Sequence, residues 1–366
     1  EGEELALAYA SVDVFLFPSE TETFGNVTLE VAKTDVRAML VGLEAGNEIG
    51  HVVRMPYAGG EAEDITSETF LREVSAVAKG LIAAGVGIGD RVALISKTRY
   101  EWTLLDYAIW FAGAVTVPVY ETSSSEQIAW ILRDSGAVAV VAEGPDHVAR
   151  VAEARGDATN LHHVWSIADN AVDVLTRLGA DISDDELEQR RTAATPLDLA
   201  TLIYTSGTTG RPKGCMLTHG NFMFELGVTV DELEELFATE DASTLLFLPL
   251  AHVFARIIQV GCVKSRTRLG HSSDIKRLLA DLQEFRPTFI LAVPRVFEKV
   301  FNTASQRATA DGKGKIFDRA AETAIAYSRS LDRGRPSLAV RAQHALFGRM
   351  LVERALPGGE PARARL

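Results

Sequence analysis

From residue 66 onward the apolar positions alternate between two rhythms. Phe70, Val74, Val77, Ala78, Leu81 and Ile82 recur at three- and four-residue spacings. That spacing predicts one buried helical face over 67–84, capped by Thr66 or Ser67 and ended by Gly85. The short unbroken run Arg91–Ser96 predicts a buried strand. A helix at Tyr100–Ala112, a strand at Val115–Val119, a helix at Glu126–Asp134 and a strand at Ala137–Val141 follow. Asp181–Pro196 is charged and interrupted, which fits a surface helix and linker. The alternation resumes with strands near Ala200–Thr205, Thr244–Leu248 and Thr288–Val293. Strands alternating with helices predict an α/β fold, with parallel sheets and helices on both faces.

Two regions depart from that rhythm. Residues 34–65 hold Gly42, Gly46, Gly50, Gly59 and Gly60 without a clear period and read as an irregular junction. Residues 301–366 hold twelve Lys/Arg against six Asp/Glu, a local charge of +6. That excess describes a solvated helical face, or a surface for a phosphate-rich membrane or an acidic cofactor.

Composition narrows the class. The chain has 366 residues, 47% hydrophobic and 24% charged, with a net charge of −13. These values fit a globular chain and exclude a globally basic nucleic-acid binder, so no nucleic-acid partner is expected. Cys215 and Cys262 are the only cysteines. They build no disulfide framework and suit a reducing cytosol. The longest apolar stretch, Ala108–Tyr120, is broken by Gly113 and Pro118 and is too short to span a bilayer. No signal-peptide pattern opens the chain, which begins at Glu1 as a piece of a longer protein would. The expected location is cytoplasmic, with peripheral membrane contact through 301–366 as its variant.

The chemistry concentrates in Leu199–Asn221 (LATLIYTSGTTGRPKGCMLTHGN). An apolar strand runs into Thr205, Ser206, Gly207, Thr208, Thr209 and Gly210, then Arg211, Pro212, Lys213 and Gly214. Gly207, Gly210 and Gly214 permit positive φ and close backbone approach. Four hydroxyls, free backbone N–H groups and the Lys213 charge suit a polyphosphate, and no acidic residue repels it. The common nucleotide-hydrolase pattern fails on spacing, because it needs glycine where Pro212 stands.

TSGTTGRPKG resembles the signature of the adenylate-forming, or AMP-binding, superfamily. Arg91–Ala137, LPLAHVFAR (Leu248–Arg256) and RPTFILAVPRVFEKVFN (Arg286–Asn302) are similar to its long-chain fatty acyl-CoA synthetase branch. The resemblance covers about residues 66–350 and implies a partial large N-terminal domain of that fold. It implies ATP, a fatty acid and coenzyme A as reactants, giving acyl-CoA, AMP and pyrophosphate through an acyl-adenylate. Carried over position by position, Thr205, Ser206, Gly207, Thr208, Thr209, Gly210 and Lys213 would wrap the β- and γ-phosphates. His252 matches the histidine lining the adenylate and acyl site, so His252 and Lys213 are the expected catalytic residues. Phe254 and Arg256 are expected in packing and surface roles, and Val293-Pro294-Arg295 as a strand-to-helix turn.

Several of the branch's motifs do not occur in this sequence. Tyr-Gly-x-Thr-Glu, which supplies an adenine wall and the magnesium ligand, and Thr-Gly-Asp, which holds the ribose, are both missing. So is a counterpart of the small mobile C-terminal domain. No metal ligand is assigned, and residues 351–366 form a divergent tail. The chain is therefore expected to be a truncated form, with a non-catalytic binding or scaffold module as the second reading. Ala10–Val31 adds a separate resemblance, to the Glu-x7-Glu stretch of retaining nucleotide-sugar glycosyltransferases, through Glu22 and Glu30. It implies a remnant at 1–33, with the family's early strand pair before the first long helix missing and glycosyl transfer as a remote third reading.

Overall fold

The computed structural model describes residues 62–205, 211–237, 239, 241–332 and 334–355, with two backbone strands before them, β1 (Val14–Leu16) and β2 (Val52–Arg54). Residues 28–275 form one compact unit, and 1–27 with 276–366 form another. Glu22, Glu30 and residues 206–210 lie outside the described residues.

The 28–275 unit continues with β3 (Glu63–Ile65), α1 (Ser67–Ala83), β4 (Arg91–Ile95), α2 (Tyr100–Phe111), β5 (Val115–Val119) and α3 (Ser125–Ser135). Next come β6 (Ala139–Ala142), α4 (Pro145–Ala154), β7 (His163–Ser166), α5 (Ala171–Leu178) and α6 (Asp184–Arg191). Then follow β8 (Leu199–Thr205), β9 (Lys213–Thr218), α7 (His219–Glu232), α8 (Glu234–Phe237), β10 (Ser243–Leu246), α9 (Val253–Ser265) and β11 (Arg268–His271). The other unit adds α10 (Leu278–Phe285), β12 (Ile290–Ala292), α11 (Pro294–Ala310), α12 (Gly314–Asp332) and α13 (Leu338–Ala355). Within it β1 pairs in parallel with β12, and Pro294 opens α11 as the turn at 293–295 predicts.

Six strands form the larger sheet in the order β7-β6-β4-β5-β8-β9. All neighbours run parallel except β8 and β9, which are antiparallel. The central strands β4, β5 and β6 are almost wholly buried, as a sheet covered on both faces requires. Ala93, Ile95, Val117, Val119, Val140 and Ala142 form one core with Ile128, Ile131 and Leu132 of α3 and Val151 of α4. Alternate side chains of a strand point to opposite faces, so Val92, Leu94 and Thr116 face the other side. Helix α2 packs against β4 and β5, and eleven of its twelve residues are buried.

A second, four-stranded sheet has the order β10-β11-β2-β3, with β2 and β3 antiparallel. This corrects two expectations. Residues 34–65 are not irregular throughout, and a strand pair does precede the first long helix. The α/β class holds, in sheets that are mixed and mostly parallel.

Helix α1 follows its apolar spacing. Thr66 caps it by accepting the Thr69 N–H at 3.1 Å, and Phe70, Val74, Val77, Ala78, Leu81 and Ile82 are buried. Gly80 lets α1 approach the end of α5, since a Cβ there would lie 2.1 Å from the Leu175 carbonyl oxygen. A Cβ on Gly179 would likewise meet the Gly80 nitrogen at 2.4 Å. Backbone cannot yield as a side-chain tip can, so Gly80→Ala is expected to lower stability by about 2 kcal/mol. Chemical denaturation at neutral pH measures it, and an unchanged midpoint would refute the close packing.

Candidate active site at the carboxyl edge of the larger sheet

Thr205 ends β8 and Lys213 begins β9, and the two are register partners across the antiparallel ladder. Ser206, Gly207, Thr208, Thr209 and Gly210 lie between them, outside the described residues. Strand β8 is buried along most of its length because its apolar residues lie between β5 and β9. β9, at the edge of the sheet, is exposed from Lys213 through Met216. No carboxylate among the described residues pairs with Lys213, whose ammonium faces solvent at the mouth of the ladder. Gly214 packs closely here, since a Cβ would stand 3.2 Å from the Tyr204 ring.

Both stems of this segment rest on α3. The Tyr204 hydroxyl donates to Asp134 Oδ2 at 2.7 Å. Burial first, and then that carboxylate, push the Tyr204 phenol well above its ordinary range, so it stays a donor at any working pH. On the other stem the Trp130 indole N–H donates to the Pro212 carbonyl at 2.9 Å. The Arg211 guanidinium lies 4.8 Å from the centre of the Trp130 ring, and Arg133 lies 5.2 Å from it.

His252 is the N-cap of α9. Its Nδ1 accepts the Phe254 N–H at 3.3 Å, and the ring is exposed. An accepting Nδ1 places the proton on Nε2 in the neutral ring, leaving Nε2–H as an outward donor. The residues leading to it are tied to the larger sheet: the Thr98 hydroxyl, just beyond β4, donates to the Leu248 carbonyl at 2.6 Å. β4 and β8 are parallel and separated by one strand, β5. The chain leading to His252 and the Thr205–Lys213 mouth are therefore both tied to the carboxyl edge of this sheet, at strands with one neighbour between them. Pro118 in β5 has no N–H, and the β5–β8 pairing is confined to Thr116 and Thr201. Ligands of open α/β sheets bind outside the carboxyl ends of the strands.

Arg256 is not at the surface. It is fully buried, one turn into α9, with Nη2 2.6 Å from Asp106 Oδ1 and Nε 3.3 Å from Oδ2. Gln259 donates to Asp106 Oδ2 at 2.9 Å and accepts from Thr103, which also bonds His271 Nε2 at 2.7 Å. Arg256 Nη1 has no hydrogen-bond partner among the described residues, and its guanidinium is enclosed by the rings of Trp102, Trp110 and Phe222 at 5.2–5.6 Å. This network joins α2 to α9 and so fixes the helix that His252 caps. Phe254 is half-buried, in keeping with a packing role.

A separate surface groove of about 550 Å³ is lined by Ile88, Ser183, Asp185, Glu186, Gln189 and Arg190, none of them a predicted site residue. No group of three or more His, Cys, Asp or Glu among the described residues could hold a metal. Of the residues that shape the site, Trp130, Asp134 and Asp106 carry no motif by which the sequence alone could have singled them out.

Residues 48–364 match the family described as AMP-binding enzyme. Over 350 residues the chain is 44% identical to the long-chain-fatty-acid–CoA ligase FadD15 of Mycobacterium bovis, covering 92% of this chain and 58% of that protein. FadD15 of Mycobacterium tuberculosis gives the same identity and coverage. Among solved structures, a long-chain-fatty-acid-CoA ligase (FadD1) from Archaeoglobus fulgidus matches with a TM-score of 0.62 at 21% identity. That match covers 77% of this chain and 56% of the other. The N-terminal domain of FACL13 from Mycobacterium tuberculosis gives 0.58 at 21% identity, over 74% of this chain and 64% of that one. The chain thus spans little more than half the length of the curated relatives it matches. The glycosyltransferase resemblance of residues 1–31 finds no support among these relatives.

Proposed function

We propose, because this chain belongs to the AMP-binding enzyme family, that it carries the phosphate-binding part of a long-chain fatty acid–CoA ligase. In that reaction a fatty carboxylate oxygen attacks the α-phosphorus of ATP as the bond to pyrophosphate breaks. The thiol of coenzyme A then takes the acyl group and AMP leaves. The observation that carries the reading is the Thr205–Lys213 pair at the mouth of the β8–β9 ladder, framing the hydroxyl- and glycine-rich segment.

The chemistry asks for placement and charge neutralisation rather than a protein nucleophile. Lys213 supplies a cation for the charge that gathers on departing pyrophosphate. Thr205, Ser206, Thr208 and Thr209 supply hydroxyl donors to the β- and γ-phosphates, and Gly207 and Gly210 allow the backbone to approach them. His252 offers its Nε2–H to the carboxylate or to the adenylate formed from it. Magnesium would enter with ATP, held largely by the phosphate oxygens.

The basic 301–366 region supports peripheral contact with an anionic lipid surface, where fatty acids reside. Lys313, Lys315, Arg319 and Arg329 are exposed there beside exposed Ile316 and Leu331. No helix among the described residues is long and apolar enough to cross a membrane.

Charge-assisted hydrogen bonds contribute roughly 1.5–3 kcal/mol each, and ordering the segment offsets much of that gain. Without adenine and ribose motifs, the chain alone is expected to bind MgATP with Kd in the millimolar range, about −4 kcal/mol. It is expected to form no acyl-CoA. Phosphorus NMR tests the first point: the β and γ resonances of ATP should broaden with the chain and sharpen again with Lys213→Ala. Unaffected resonances would overturn the phosphate reading. Palmitoyl-CoA formed by the purified chain from palmitate, ATP and coenzyme A would overturn the expected lack of turnover.

A further inference from the structure

The two stems of the phosphate segment share one support, and it belongs to neither β8 nor β9. Asp134 and Trp130 stand four residues apart on α3, so they lie on one face of that helix. Asp134 holds the incoming stem through Tyr204, and Trp130 holds the outgoing stem through the Pro212 carbonyl and the Arg211 guanidinium. Proline leaves the chain rigid at 212, and Trp130 grips its carbonyl one residue before Lys213. The rest of α3 is bound into the sheet core through Ile128, Ile131 and Leu132. The helix is therefore a fixed platform, not a surface strut.

We infer that Trp130 is a positioning residue: its N–H and ring face set the exit direction of the phosphate segment, and with it where the Lys213 ammonium stands. The ligand side of this inference rests on the phosphate-binding reading above; the anchoring side does not. Trp130 itself touches no reacting atom. Its ring also keeps the Arg211 charge beside α3 by a cation–π contact.

Hydrogen exchange on the full chain tests the anchoring, comparing wild type with Trp130→Phe, which keeps a ring and loses the N–H. Amide exchange over residues 204–213 is expected to rise about fivefold, the effect of one lost hydrogen bond. Exchange in β4 and β6 should be unchanged. Phosphorus NMR supplies the readout that a merely structural role would not move: broadening of the ATP β and γ resonances should fall in Trp130→Phe while the melting temperature holds. Trp130→Leu, which also loses the ring, should show both effects more strongly. An unchanged rate at 204–213, or an equal rise throughout the sheet, overturns the inference. So does a raised rate with ATP broadening fully retained. A raised rate in a chain whose wild type never broadens ATP upholds the anchoring and overturns the phosphate reading instead.

Discussion

Replacing Arg256 with methionine is expected to lower folding stability by about 3–5 kcal/mol. The reason is the carboxylate left behind. Asp106 is fully buried, and without the guanidinium it keeps, among the described residues, only the Gln259 amide as a donor. A buried charge stripped of its counter-ion bears most of its desolvation penalty, and the electron-rich ring faces around the site favour a cation, not an anion. For a unit of this size the loss corresponds to a drop in melting temperature on the order of 10 °C. The double variant Asp106→Leu/Arg256→Met should recover most of it, because an apolar pair of similar volume carries no such penalty. Urea denaturation of the two variants decides the matter. A single variant within 1 kcal/mol of wild type would mean that the pair contributes little.

The second large effect is a pH dependence. His219 opens α7, is 3% exposed, and has its ring edge against Trp110. Burial lowers its pKa to about 4; the nearby Asp198 carboxylate opposes that shift and Arg256 adds to it. In the unfolded chain the imidazole titrates near 6.5. Between the two values the unfolded chain holds a proton that the folded chain refuses. Stability is therefore complete above about pH 6.5 and falls as pH is lowered toward 4, by up to about 3 kcal/mol. Asp198 does not produce the same slope. Its carboxyl is held below its ordinary value by the Thr195 N–H and hydroxyl, so its contribution is lost at still lower pH. Urea midpoints of wild type and His219→Gln at pH 7 and 4.5 isolate the term. The variant should lose less stability on acidification, and an identical loss would assign the slope to other groups.

The regular part of the fold was readable because its cause is local. Thr66 caps α1 as its position before an apolar stripe implies, and β4, β5 and β8 stand where short apolar runs occur. β2 and β3 were not readable: three-residue strands beside glycine-rich chain are too short for a period to emerge. Arg256 was misplaced at the surface because an arginine in a helical stretch is normally solvated, and its partner lies on a different helix. Lys213 and Thr205 were visible as a motif, but their register pairing needed coordinates. Trp130 was invisible for the same reason, since its task exists only once α3 lies beside the β8–β9 turn.

The Asp106–Arg256 bond joins residues 150 positions apart. At a synthesis rate of roughly 5–20 residues per second, the acid is made about 8–30 seconds before its base. During that interval α2 has an apolar surface with a carboxylate set into it and no cation to receive it. Until α9 is made, α2 can bury the apolar surface around Asp106 only at the cost of an unpaired buried charge.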